Sequence, residues 1–177
     1  MRIDLHTRLL AAVAILSLGT AVARADNASE TTASIGANPL ADSVRAANDR
    51  FHDVAAAVKE GYAPIPCASS PTGGAMGIHY VNANYLKDDA VDVARPEAVM
   101  YEPMADGTLA LVAVEYITAK GPASLGGQLF NFNSAPNRYG LGPFYELHVW
   151  AWKPNPTGTF VDMNPNVSCV RARGEGM

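Results

Sequence analysis

The chain has 177 residues, of which 49% are hydrophobic and 17% charged, and its formal net charge is −4. That length suits one domain with a core of its own and is short for two. The acidic balance, with no Lys/Arg cluster, argues against nucleic acid as a partner, since a phosphate backbone needs cationic contacts.

Arg2 and Arg8 open the chain, Leu9 to Val22 is an apolar or small-residue run, and Ala23-Arg24-Ala25 precedes Asp26. This layout predicts a secretory signal peptide over residues 1–25, cleaved near Ala25-Asp26. The run is shorter than the ~20 residues a spanning helix needs. No cysteine follows for lipid attachment, and no basic amphipathic helix suggests a stable membrane anchor. The expected product is secreted or periplasmic. Losing three arginines and Asp4 with the signal leaves it with a net charge of about −6. Residues 26–37 are small and polar and read as a disordered leader, so 38–177 is expected to form a single globular α+β domain.

Asn38-Pro39 resembles an N-cap followed by proline at the first helical position. Leu40, Val44, Ala47, Phe51, Val54 and Val58 recur at helical spacing, which predicts one long amphipathic helix ending at Gly61, with Pro64 and Pro66 beyond it. Cys67 to Gly77 reads as a loop without the Lys-Ser/Thr ending of a phosphate loop. Strands are expected at Ile78–Asn82, Glu97–Met104, Thr108–Thr118 and Phe144–Trp152. Asp106-Gly107 should form a two-residue hairpin turn, and Pro103 should mark an edge near that turn. Gly121–Pro143 is a long loop, with Leu129, Phe130 and Phe132 as anchors. Alternating βαβ units are absent. The fold class expected is therefore α+β: an N-terminal amphipathic helix packed on a mainly antiparallel sheet of four to five strands, with long loops.

Cys67 and Cys169 are the two cysteines. With no C-x-x-C spacing and an oxidising compartment, they are expected to form one disulfide. It would close a loop of roughly 100 residues, for which the chain-entropy model gives up to ~4.7 kcal/mol.

Chemistry is expected from strand histidines and carboxylates. Glu146 and His148 project from one face of their strand because side chains alternate. A two-residue turn at Asp106-Gly107 places Ala98 opposite Glu115 and Glu102 opposite Leu111. Glu102 and Glu115 then share a face but lie ~13 Å apart. Glu115, set among apolar residues, needs a cation, a donor or a metal as partner. One reading brings His79, His148 and Glu115, with Glu146, around a transition ion, for which Zn, Cu, Ni or Fe are suitable. The other leaves Glu115 hydrogen-bonded to a buried Tyr or His, with Glu146 and His148 as a satisfied polar pair. Trp150 and Trp152, on the face of Glu146 and His148, are candidates for a small-molecule platform. His52 reads as a boundary histidine. Serine hydrolysis lacks a G-x-S-x-G elbow, and the methionines form no copper-binding cluster.

The segments HDVAAAVKEGY, GAMGIHYVN, PEAVMYEP, LVAVEY, FYELHVWAW and NPTGTFVDMNPNVSC, spanning about His52 to Cys169, resemble a family of small exported bacterial proteins. The resemblance implies an intact exported domain and carries over no catalytic role. Three function classes follow from the residues: a metal-binding protein, an enzyme with a Glu acid/base acting on a small molecule or envelope component, and a disulfide-stabilised interaction module.

Overall fold

A computed structural model describes residues 38–172. The signal peptide expected at 1–25 and the leader at 26–37 lie outside the described residues, as do 173–177.

Helix α1 spans Pro39–Asn48, and the Asn38 side chain accepts hydrogen bonds from the amides of Leu40 and Ala41. The single long helix predicted here is broken. A 3₁₀ turn covers Asp49–His52, and α2 runs from Val54 to Lys59. Two polar residues impose the break. Asn48 is buried and donates to the carbonyls of Val44 and Val93, tying the helix end to a distant loop. Asp53 takes an extended backbone and caps Ala55, which restarts the helix at a new angle. Leu40, Val44, Phe51 and Ala57 stay buried, whereas Val58, expected on the same stripe, is 55% exposed.

The strands are β1 (Tyr62–Pro64), β2 (Ala68–Ser69), β3 (Ala75–Asn82), β4 (Ala98–Pro103), β5 (Leu109–Thr118), β6 (Ser124–Leu125), β7 (Gln128–Leu129), β8 (Asn131–Asn133) and β9 (Phe144–Val149). Helix α3 covers Ala83–Asp88. The main sheet has seven strands in the order β1-β3-β4-β5-β9-β8, with β2 also on β3 and every pairing antiparallel. The pair β6-β7 stands apart. This corrects the expected four or five strands: β1, β2 and β8 are two or three residues long, too short to show alternation. β3 pairs with β4 only over Ala98–Tyr101, so Pro103 lies beyond that neighbour although β4 is a central strand. Of the anchors expected in the long loop, Phe130 is buried, while Leu129 and Phe132 are exposed.

The β4–β5 turn differs in detail from the two-residue expectation. Met104 donates to Thr108 and Gly107 donates back to Met104, with Gly107 at φ +83°, so the turn holds three residues. That offsets the register by one and puts Glu102 opposite Ala110. A bulge at Val112 then restores it, and Ala98 faces Glu115 as predicted.

The sheet's two faces are covered differently. Val99, Tyr101, Val114, Tyr116, Leu147 and Val149 pack against the helices. Phe51 is fully buried there, and its carbonyl accepts from Tyr101 Oη at 2.7 Å. Burying a side chain of that size contributes roughly 1.5–3 kcal/mol. On the other face Met100, Val112, Ala113 and Trp150 pack with Met76 and Val167 under loops. Cys67 and Cys169 are bonded, 102 residues apart in sequence, and Ala75 and Asn164 form a two-way bridge beside them. The segment after β9 is thereby fastened across the loop-covered face. Among the described residues no helix is long and apolar enough to cross a membrane.

Candidate metal centre

Glu115 lies in the middle of β5 and is fully buried on the loop-covered face, between Ala98 and His148 on the neighbouring strands. His79 belongs to β3 and faces Met100 of β4. Ala98, one pleat along on the same face, has no side chain beyond Cβ, which leaves room for His79 to reach across β4. The result is a convergence from three strands. His79 Nε2 is 3.4 Å and His148 Nε2 3.6 Å from Glu115 Oε2. The rings of His79 and His148 stand perpendicular, with centroids 6.2 Å apart.

The loop before β9 adds two residues that the sequence did not single out. Arg138 Nη2 contacts both Glu115 oxygens, at 3.3 and 3.2 Å, and lies 3.4 Å from His148 Nε2. Its Nη1 is 2.8 Å from Met76 Sδ. The hydroxyl of Tyr139 donates a short hydrogen bond to Glu115 Oε2. Asn137 shapes this turn: its side-chain oxygen accepts from the amides of Tyr139 and Leu141. The one signal available in sequence was that Arg138 is the only Lys or Arg between Lys120 and Lys153.

On the far side of His148, Nδ1 lies 3.2 Å from Asp162 Oδ1, an ion-pair contact outside good hydrogen-bond geometry. Glu146, two residues earlier on β9, receives Asn133 Nδ2 on Oε1 at 3.1 Å. Thus His79, His148, Glu115 and Glu146 all reach one cluster, and Asp162 joins them.

The ionisation states follow from burial set against neighbouring charge. Burial would raise the Glu115 carboxyl, but His148, Arg138 and His79 outweigh it and hold its pKa below the ordinary carboxylate range. Burial lowers His79 to about 3, with Arg138 and His148 adding to the effect against Glu115, so this ring is neutral. Burial also opposes charge on His148, yet Glu115, Asp162 and Glu146 prevail and its pKa is raised. Glu146 is pushed up to about 8, first by burial and then by Glu115.

Other candidates lie elsewhere. Glu102, on the same face, is paired with Lys153 at 2.5 Å and accepts from the Ser168 amide, so it closes the tail. His52 is 54% exposed beside Asp49 and stacks edge-on against Trp152, as a boundary residue would. Trp150 and Trp152 do not share a face. β9 ends at Val149, and Ala151 folds back on the Val149 carbonyl. Trp152 then donates its amide to the carbonyl of the bulge residue Val112. Trp150 is buried on the loop-covered side with Nε1 on Val161 O at 2.6 Å, whereas Trp152 packs against the helix-side core. A cavity of about 150 Å³ beside the long loop is lined by Leu86, Ile117, Thr118, Leu141, Pro143 and Phe144, not by the clustered carboxylates.

The chain is thus a helix-backed antiparallel sheet carrying buried His, Glu and Asp groups that can hold a metal on its loop-covered face. No protein-family model, curated protein or solved structure matches it.

Proposed function

We propose that this is an exported metal-binding protein that holds a transition ion through His79, His148 and Glu115. The observation carrying this reading is the spacing of the donor atoms. Bonds of about 2.05 Å in tetrahedral geometry put ligand atoms about 3.3 Å apart. The separations of 3.4 and 3.6 Å suit that arrangement, whereas good N–H···O hydrogen bonds are shorter. His79 supports it further: its Nε2 is buried without a well-formed hydrogen bond, a costly state that coordination would relieve. Nitrogen and carboxylate donors together suit Zn, Cu, Ni or Fe. Arg138 supplies positive charge that Glu115 requires, a role a bound ion would share. Export is supported by the signal-peptide layout and the disulfide.

Elemental analysis of untagged protein purified without chelator tests the reading, with the His79→Ala/His148→Ala double variant alongside. A stoichiometric metal lost in the folded variant is the expected result. Wild-type protein that takes up none of Zn, Cu, Ni or Fe would sink it. An enzyme reading draws on one observation, the Glu146 carboxyl poised near neutral pH as a general acid must be. The cavity beside the long loop, however, is not lined by Glu146.

A further inference from the structure

His148 offers its two ring nitrogens to two sides of the cluster. Nε2 faces Glu115 and Arg138, Nδ1 faces Asp162, and Glu146 lies close to the ring. One donor atom each from Glu146, His148 and Asp162 lies within 4.8 Å of the others, and His148 Nδ1 is 3.2 Å from Asp162 Oδ1. Glu146 Oε2, His148 Nδ1 and Asp162 Oδ1 are all buried without a well-formed hydrogen bond among the described residues, although the last two form this ion pair. Their arrangement is fixed from several directions. Asn133 holds Oε1 of Glu146. Glu146 and His148 are alternate residues of one strand and so share its face. Asp162 follows Val161, whose carbonyl is gripped by Trp150 Nε1, and precedes the bridge between Asn164 and Ala75. A buried polar atom left without a hydrogen bond costs about 1–3 kcal/mol, and the His148–Asp162 ion pair offsets only part of that cost for this group. Among the described residues no Lys or Arg forms an ion pair with Glu146 or Asp162 as Arg138 does with Glu115.

We propose that Glu146, His148 and Asp162 form a second cation position, suited to a divalent transition ion, so that the His148 ring stands between two ions. One nitrogen and two carboxylate donors favour Zn or a similar ion over calcium, which takes oxygen ligands alone. Coordination at Nδ1 replaces the proton there. With both nitrogens coordinated the ring is an imidazolate, and every proton it carried, two from a protonated ring, is released to solvent. Asp162, whose side chain is 42% exposed, lies on the route from solvent. The second position rests on the metal-binding reading of this face through the shared ring, and it has ligands of its own.

The test is zinc titration of the full chain against a chromophoric chelator, with cobalt absorption as a second readout. It is run on wild type, Asp162→Asn, Glu146→Gln and Glu115→Gln, each checked for native circular dichroism. Two equivalents in wild type and one in each variant is the expected result. Asp162→Asn keeps the residue's shape at a partly exposed position, and Glu146→Gln keeps the Asn133 contact, so a folding failure in one leaves the other informative. A single equivalent, lost in Glu115→Gln and kept in both Asp162→Asn and Glu146→Gln, overturns the second position and leaves the first intact. A single equivalent with the opposite pattern supports the position argued here and removes the first. Zinc-free wild type overturns both.

Discussion

Replacing Arg138 with Met removes the guanidinium and keeps most of the side-chain volume. Glu115 then remains fully buried with Tyr139 and two imidazoles but without a permanent positive charge. Breaking a buried pair by removing one partner costs about 3–5 kcal/mol. Arg138 keeps 23% side-chain exposure and the Tyr139 hydrogen bond survives, so about 2–3 kcal/mol is expected at pH 7. The pH dependence sharpens the prediction. The wild-type Glu115 pKa is depressed, so its contribution is present above the unfolded value of about 4.3 and is lost as pH falls through the folded value. In Arg138→Met the folded value rises, and the deficit narrows as pH drops toward 5. Urea denaturation at several pH values, with the slope checked for constancy, measures this. Zinc, free to take the counter-cation role, should restore stability in the variant more than it adds to wild type. The stabilisation amounts to about 2.7 kcal/mol at a hundred times the dissociation constant. A variant as stable as wild type at pH 7, with an unmoved acid midpoint, would refute the premise that Glu115 depends on this cation.

Glu97 is buried against the Ile117 amide, and burial pushes its pKa up to about 8. A raised carboxyl favours folding below its unfolded pKa and loses that benefit as pH climbs to the folded value. Glu97→Gln should therefore be stabilising by on the order of 3 kcal/mol at pH 8 and near neutral at pH 4, as read from denaturation midpoints. Ala98→Leu fills the gap over β4, and it is expected to abolish zinc binding while the far-ultraviolet spectrum stays native; retained binding would show that His79 does not reach Glu115 by that path. At Gly77, φ is +95° and a Cβ would sit 2.5 Å from the Tyr101 carbonyl oxygen. Gly77→Ala should lower Tm by roughly 10 °C or more through strain of about 2–3 kcal/mol beside His79. The Cys67→Ser/Cys169→Ser pair should lose about 2–5 kcal/mol, measured by the shift in thermal midpoint under non-reducing conditions.

Much of this was written locally in the chain. Asn38-Pro39 marks a helix start, and the helix forms there with the side-chain cap in place. Alternation brings Glu146 and His148 to one face, and Ala98 does face Glu115. That pairing was reached through a shorter turn than the real one, because the extra turn residue and the Val112 bulge offset each other. Arg138, Tyr139 and Asp162 were not legible, because their loops take position from tertiary contacts such as the Asn164–Ala75 bridge. The break after Asn48 has the same origin: the partner that holds the Asn48 amide, the Val93 carbonyl, is 45 residues away. Trp152 changed faces because the Val112 carbonyl captures its amide, a long-range event invisible to strand periodicity.

The unequal cover on the two sides of the sheet bears on which parts can open independently. The helix side is sealed by apolar side chains, including Phe51 and Val44, so exposing it means losing the core itself. The other side is closed by chain with little regular structure, held over Glu115 by a few polar contacts from Arg138 and Tyr139. Such segments open at a fraction of the global free energy. Amide deuterium uptake should therefore divide the molecule. The centres of β4 and β5 would exchange only with complete unfolding, while the amides of Asn137 to Leu141 exchange orders of magnitude sooner. An ion could then come and go through that early-opening hairpin while the sheet beneath it keeps its ligands in register.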